Sequence, residues 1–235
     1  MGPFQKALTS VSPFVKTWRY LQMAEKNREQ LTQLKMEWAK DVLSIFNPKY
    51  VIRGEPSLER PAVFVGNHIS YLDIPVMLGL VPDVSFVSKK EVKRWPFIGK
   101  GATLIDTIFV DRGSYKSRGQ VREQLKASLA EGKKRMVVFP SGTTSVNEHL
   151  PWKKGSFVVA QEAGAPIQAF RLRYTPLRRV AYIDNDFLPT HLYSLVGVPE
   201  VQIELEFNKP VMVDDPIRQA AEFHEWSREW LVNKS

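Results

Sequence analysis

His68 and Asp73 stand five residues apart in "NHISYLD", directly after the strand-like apolar run "AVFVG". A histidine beside an aspartate is a candidate base. If the carboxylate accepts a hydrogen bond from one ring nitrogen, it fixes the tautomer and stabilises the imidazolium formed on proton capture. With no nucleophilic serine in the arrangement, such a pair suits deprotonation of a substrate hydroxyl. On a continuous helix a five-residue offset turns by about 500°, so the two side chains would not share a face. They meet only if the helix begins after His68. Pro75 favours that, because proline fits a first helical turn and not an interior. The same residues allow a purely local role: Ser70-x-x-Asp73 has capping-box spacing, and Asp73 can cap the helix itself.

The elements that must hold this pair alternate along the chain. Strands are expected at 50–53, 62–65, 84–87, 104–110, 136–139, 167–174 and 201–207, from short apolar runs rich in β-branched and aromatic residues. Helices are expected at 74–80, 117–131, 154–163 and 216–231, the last opening with Asp214-Asp215-Pro216. This alternation predicts an α/β domain over 49–235 with a mixed, largely parallel sheet flanked by helices. In such sheets functional groups gather where strands end, and Asn67-His68 lies at such an end. Residues 1–48 read differently. Apolar residues recur at three- and four-residue steps from Phe4 to Leu21 and again from Leu31 to Ile45, with Asn47-Pro48 closing the second stripe. An N-terminal helical hairpin follows, either packed on the main domain or lying on a membrane surface.

The 235 residues carry no cysteine, which excludes disulfides, cysteine nucleophiles and thiolate metal sites. His68, His149, His191 and His224 lack tight ligand spacing, so no metal site is expected. A net charge of +8 favours nucleic acid, anionic lipid or phosphorylated ligands without choosing among them. No secretory signal is visible, and no apolar run reaches the ~18 residues of a membrane span. Any membrane contact is expected from the surface, as a peripheral protein on the cytoplasmic side.

"NHISYLD" resembles the Asn-His-x4-Asp signature of the glycerolipid acyltransferases, the family of 1-acylglycerol-3-phosphate acyltransferase. Further blocks follow in order. "FVSKKEVKRWPFIGKGATLIDTIFVDRGS" resembles the family's second block, "VFPSGTTS" the third, and "WKKGSFVVAQEAGAPIQAF" the Lys-x-Gly helix and the fourth. The resemblance implies that His68 is the base for an acceptor hydroxyl, oriented by Asp73. That hydroxyl attacks the thioester of acyl-CoA or acyl-carrier protein, with no acyl-enzyme and no cofactor beyond this co-substrate. Lys89 and Arg112 match basic residues that hold a phosphate. Ser141, Gly142, Thr143 and Thr144 match the third block, and Pro166 and Ile167 the fourth, all as substrate-binding positions. The implied partners are a lysolipid, the acyl thioester and an anionic membrane surface, with acyl-carrier protein where it is the donor; nucleic acid is not expected.

The third block departs from the family pattern: its usual Glu is Ser141 here, and its usual Arg is Thr144. The expected acceptor is 1-acylglycerol-3-phosphate, giving phosphatidic acid, with Lys153, Lys154, Arg171 or Arg173 replacing the missing arginine. The alternative is another lysolipid: lysophosphatidylcholine, lysophosphatidylethanolamine or lyso-ornithine lipid. Gly-x-Ser-x-Gly and the P-loop pattern are absent, which argues against a serine hydrolase and a P-loop enzyme. The remaining rival is a non-catalytic basic module for membrane or nucleic acid, built on "KKEVKR" and "RLRYTPLRR".

Overall fold

The computed structural model describes residues 2–95, 98–111, 113, 115–130 and 135–232. Seven strands form one sheet in the order β1-β7-β6-β2-β5-β3-β4. They are β1 (Pro48–Arg53), β2 (Val63–Gly66), β3 (Val84–Lys89), β4 (Ile108–Val110), β5 (Arg135–Val138), β6 (Ile167–Thr175) and β7 (Val201–Phe207). Every neighbouring pair is parallel except β6 with β7. This is the mixed, largely parallel α/β architecture expected from the alternation of elements.

Helices cover both faces. The first group is α1 (Pro3–Lys26), α2 (Leu31–Leu43), α3 (Asp73–Leu80) and α4 (Ile98–Leu104). Then follow α5 (Tyr115–Ala130), α6 (Gly155–Ala163), α7 (Leu177–Val180), α8 (Leu188–Leu195) and α9 (Pro216–Val232). Side-chain alternation divides the interior into two clusters. Phe64, Val137, Phe170, Leu172 and Tyr174 join residues of α2, α3 and α8 on one face. Val63, Val65, Met136, Ile167 and Ala169 join residues of α5, α6 and α9 on the other. Strands covered on both sides are buried throughout, which is why β2 reads as an unbroken apolar run. At Gly66, the last residue of β2, a Cβ would sit 2.3 Å from the Phe170 ring, so the strand passes too close to that ring for a side chain.

The N-terminal segment forms two helices, joined side by side where Lys16 pairs with Asp41 at 2.7 Å and the Trp38 indole donates to Thr17 at 3.0 Å. Ala39, Leu43 and Phe46 belong to the same buried cluster as Phe64, so this segment shares the main core. Among the described residues no helix is long and apolar enough to cross a membrane.

One expected strand is shorter than its apolar run. Leu104 closes α4, and strand pairing begins only at Ile108. Asp106 takes a left-handed conformation (φ 56°), and the Thr107 N–H donates to Ala102 O at 2.9 Å, so the chain turns before it pairs. α4 itself carries two glycines, and a Cβ on Gly99 would lie 2.1 Å from Lys93 O. Close approach of the backbone, which leaves no apolar periodicity, places that helix.

Candidate functional site

β2 is the central strand, flanked by β5 and β6; the chain leaves β2 for one face through α3 and leaves β5 for the other through α6. Its C-terminal end is therefore a crevice of the kind where α/β sheets bind ligands. Asn67 fastens this end to β6: its side chain donates to Leu172 O at 2.8 Å and accepts from Leu172 N at 2.7 Å. His68 follows, outside the ladder.

α3 begins at Asp73, after His68, so the two side chains can meet. His68 Nδ1 lies 2.7 Å from Asp73 Oδ2. The same oxygen accepts the backbone N–H of Ile69 at 2.7 Å and of Ser70 at 3.1 Å. Asp73 Oδ1 accepts the Tyr174 hydroxyl at 2.7 Å. Asp73 is fully buried, and these four donors replace the water its carboxylate has lost. Asp73 thus holds the imidazole as expected, but the expected cap does not form: α3 has Leu72 at its N-cap with no side-chain bond, and although Asp73 accepts from Ser70 N, Ser70 Oγ accepts from Leu72 N at 3.3 Å.

With Nδ1 directed at a carboxylate, the proton resides there and Nε2 is the basic nitrogen. The imidazole stacks on Phe139, with centroids 4.1 Å apart and planes 11° from parallel, and its side chain keeps 21% exposure. Tyr71 fixes the middle of the loop: its hydroxyl donates to His191 Nδ1 at 2.9 Å, while His191 Nε2 donates to Ala181 O at 2.9 Å. Burial pushes the Tyr71 and Tyr174 phenols upward and the His191 imidazole downward, which keeps all three neutral as donors and acceptors.

The third block lies at the same edge. Residues 139–145 leave β5 beside His68, where Phe139 provides the stack and the Ser145 N–H donates to His68 O at 2.7 Å. Gly142 turns through φ 81°, and Ser141 Oγ donates to Thr143 O at 3.1 Å. Thr143 and Thr144 are half-buried on this turn. Lys89 is exposed at the end of β3, on the same edge of the sheet. Arg112 lies outside the described residues.

Two expected site positions are placed elsewhere. Pro166 and Ile167 open β6, whose Ile167 is level with Val63 in parallel register, five residues before His68. That is about 16 Å along the strand direction. Both are buried, with Ile167 in the cluster against α5, α6 and α9, so they shape the core beneath the sheet and do not line the His68 crevice. Arg171 is also committed. It lies 2.9 Å from Glu206 Oε2, donates to Trp226 O at 2.7 Å and sits over the Trp226 and Trp230 rings. Arg173 points to the same face of β6, away from Asp73.

Three participants carried no local signal: Tyr174, Glu148 and Trp152. Glu148 is fully buried, accepts the Trp152 indole N–H at 2.5 Å, and turns Oε1 toward the His68 amide at 3.4 Å. Burial raises this carboxyl to about 7. Beside the site an apolar cavity of about 280 Å³ runs between α1, α2, α3 and α4. Phe14, Leu21, Trp38, Leu78 and Trp95 line it, and it reaches Tyr71 and Leu72 within the His68–Asp73 loop.

A family model described as acyltransferase matches residues 26–173. A lyso-ornithine lipid O-acyltransferase of Pseudomonas aeruginosa is 32% identical over 157 residues, 65% of this chain and 60% of the relative. A 1-acyl-sn-glycerol-3-phosphate acyltransferase of Neisseria gonorrhoeae is 34% identical over 162 residues, 66% of this chain and 62% of the relative. The chain thus matches about three fifths of the length of these relatives. The crystal structure of the 1-acyl-sn-glycerophosphate acyltransferase from Thermotoga maritima aligns with a TM-score of 0.70. That alignment covers 98% of this chain and 95% of that one at 19% identity, a likeness of fold.

Proposed function

The chain belongs to the acyltransferase family, and on that premise we propose that it transfers a fatty acyl chain from a thioester to the free hydroxyl of a lysolipid. The observation that carries this reading is the 2.7 Å contact from His68 Nδ1 to Asp73 Oδ2, which leaves Nε2 as the basic nitrogen on a loop whose Tyr71 and Leu72 line an apolar cavity. Nε2 takes the proton of the acceptor hydroxyl as its oxygen attacks the thioester carbonyl carbon. The C–S bond then breaks, and the thiolate recovers the proton from the imidazolium. Asp73, held by its other three donors, stabilises that cation without moving. The neighbouring cavity suits an acyl chain, since its lining is almost wholly apolar.

The acceptor headgroup is the point on which relatives differ. Lys89 at the crevice edge and the net charge of +8 support 1-acylglycerol-3-phosphate. One observation favours a second reading, a lyso-ornithine lipid or another zwitterionic lysolipid. Arg171 is held by Glu206 and two tryptophans, so it does not stand in for the arginine that Thr144 replaces.

The protein would work from the membrane surface. Phe4, Leu8, Val11, Val15 and Trp18 form one exposed stripe on α1. Lys6, Lys16 and Arg19 lie on the same helix, and no acidic residue precedes Glu25. That combination suits a helix lying in an anionic interface.

The test is thiol release from acyl-CoA or acyl-carrier protein with lysophosphatidic acid and lyso-ornithine lipid as acceptors. Turnover by the wild type that disappears in His68→Ala supports the reading. No turnover with any donor and acceptor pair refutes it.

A further inference from the structure

Ser141 occupies the position where the related third block carries a glutamate, and its hydroxyl is engaged within its own turn. A carboxylate reaches the His68 loop all the same, from Glu148. The segment 145–148 grips both backbone polar groups of His68. The Ser145 N–H donates to His68 O at 2.7 Å, and Glu148 Oε1 faces His68 N at 3.4 Å. The segment is itself braced. Glu148 N donates to Ser145 Oγ at 3.1 Å, Glu148 O accepts from His224 Nε2 of α9 at 2.8 Å, and Oε2 accepts from Trp152.

This arrangement is costly. Glu148 is fully buried with neutral donors on both oxygens, and its backbone is left-handed at φ 49°. A fold that places a carboxylate so unfavourably, against the amide of His68, constrains that amide specifically.

We infer that Glu148 is a positioning residue for His68: its ionised carboxylate, with the Ser145 N–H, clamps the His68 backbone so that Nδ1 stays on Asp73 and Nε2 faces the acceptor. This rests on His68 being the base of the proposed reaction. Protonating Glu148 puts a hydrogen on an oxygen that faces a donor, and the clamp loosens. Burial raises the Glu148 carboxyl to about 7, Asp73 adds to the rise, and the Trp152 and His68 N–H groups oppose it. The other titratable groups at this segment are His224, bonded to Glu148 O, and exposed His149, whose Nδ1 lies 3.0 Å from Asn147 Oδ1. Turnover therefore depends on the ionisation of Glu148 as well as on His68 as base.

Two measurements test this. The first needs no turnover: the backbone amide shift at position 68 is followed by NMR against pH in His68→Ala, where no imidazole titrates at that position. A transition near pH 7 that vanishes when Glu148→Gln is added supports the clamp; its absence in His68→Ala overturns it. The second is the pH profile of kcat. The acid limb of the wild type should be steeper than that of Glu148→Gln, by the Glu148 ionisation that the variant lacks. Glu148→Gln should also lower kcat by up to about 10²-fold with little change in KM, the effect of a misplaced base. Trp152→Phe, which keeps the carboxylate but removes a donor to it, should move the limb to higher pH. Glu148→Gln with wild-type kcat and slope refutes the inference. A wild type with no turnover refutes the acyltransferase reading, and the amide titration then decides the clamp alone.

Discussion

The hydroxyl of Tyr174 donates to Asp73 Oδ1 at 2.7 Å across 101 residues of sequence. The bond joins the C-terminal part of β6 to the first residue of α3. It gives the buried carboxylate a donor on the oxygen that His68 leaves unoccupied.

Replacing Tyr174 by Phe should therefore leave one carboxylate oxygen buried and unsatisfied. The expected loss is about 1–3 kcal/mol of unfolding free energy, measured by urea denaturation. An unchanged urea midpoint would show that Asp73 Oδ1 finds another donor.

His68→Ala should retain the fold and lose about 10²–10⁴ in turnover, the contribution of a positioned base. Asp73→Asn should also be slow, but for a different reason. An amide that presents its N–H₂ to the Ile69 and Ser70 amides loses those bonds, so this variant should melt early where His68→Ala does not. Paired thermal melts and thioester assays separate the two.

Glu148 makes a statement about stability as well as chemistry. Its folded value of about 7 lies above its ordinary 4.5, so the native state holds a proton that the unfolded chain has released between these pH values. Its contribution is full below pH 4.5 and is lost as pH rises to 7. The difference amounts to about 3 kcal/mol. Urea unfolding at pH 5 and at pH 8 should show this decline in the wild type and a much smaller one in Glu148→Gln. Equal declines would mean that Glu148 ionises normally in the folded protein.

Thr144→Arg tests the acceptor. If the crevice prefers a weakly charged headgroup, the new guanidinium should shift kcat/KM toward lysophosphatidic acid by about 1–3 kcal/mol, as a charge-assisted hydrogen bond would. If the wild type already favours lysophosphatidic acid and the variant gains nothing, another cation fills that place, and Lys89→Ala is the next substitution to measure.

Membrane attachment is better tested by substitution than by removing residues 1–46, because Ala39, Leu43 and Phe46 are part of the main core. Leu8→Ser with Val15→Ser keeps that core and removes the middle of the exposed stripe. Co-sedimentation with anionic vesicles should fall, while the thermal midpoint stays within a few degrees. Undiminished sedimentation would assign the stripe another role.

The pair His68–Asp73 was legible because both partners lie within one loop, and Pro75 places the helix start after His68. β7 was legible to its last residue because it alternates strictly, Val201, Ile203, Leu205 and Phe207 inward. The rest of the site was hidden by distance. Tyr174 resembles any inward aromatic of a strand, and only the fold brings it to Asp73. Glu148 lies in a loop without periodicity, and nothing in "SVNEHL" says that this carboxylate turns inward while neighbouring Asn147 and His149 are exposed. Pro166 and Ile167 illustrate the reverse failure. Their sequence block is recognisable, but strand direction carries them to the other end of the sheet.

Strand β6 separates two environments one residue apart. Tyr174 looks toward Asp73, whereas Arg171 looks toward α9 and its tryptophans, and Arg173 lies on the same face of the strand as Arg171. Slippage by a single position would turn every one of these side chains to the opposite face and set an arginine or a threonine against the aspartate. A one-residue insertion or deletion between Phe170 and Tyr174 should therefore abolish turnover more completely than most substitutions of the residues concerned. The same length change in the exposed connection at Lys209 or Pro210 need not disturb the site. Along this strand the protein's chemistry is encoded as counting, parity as much as identity.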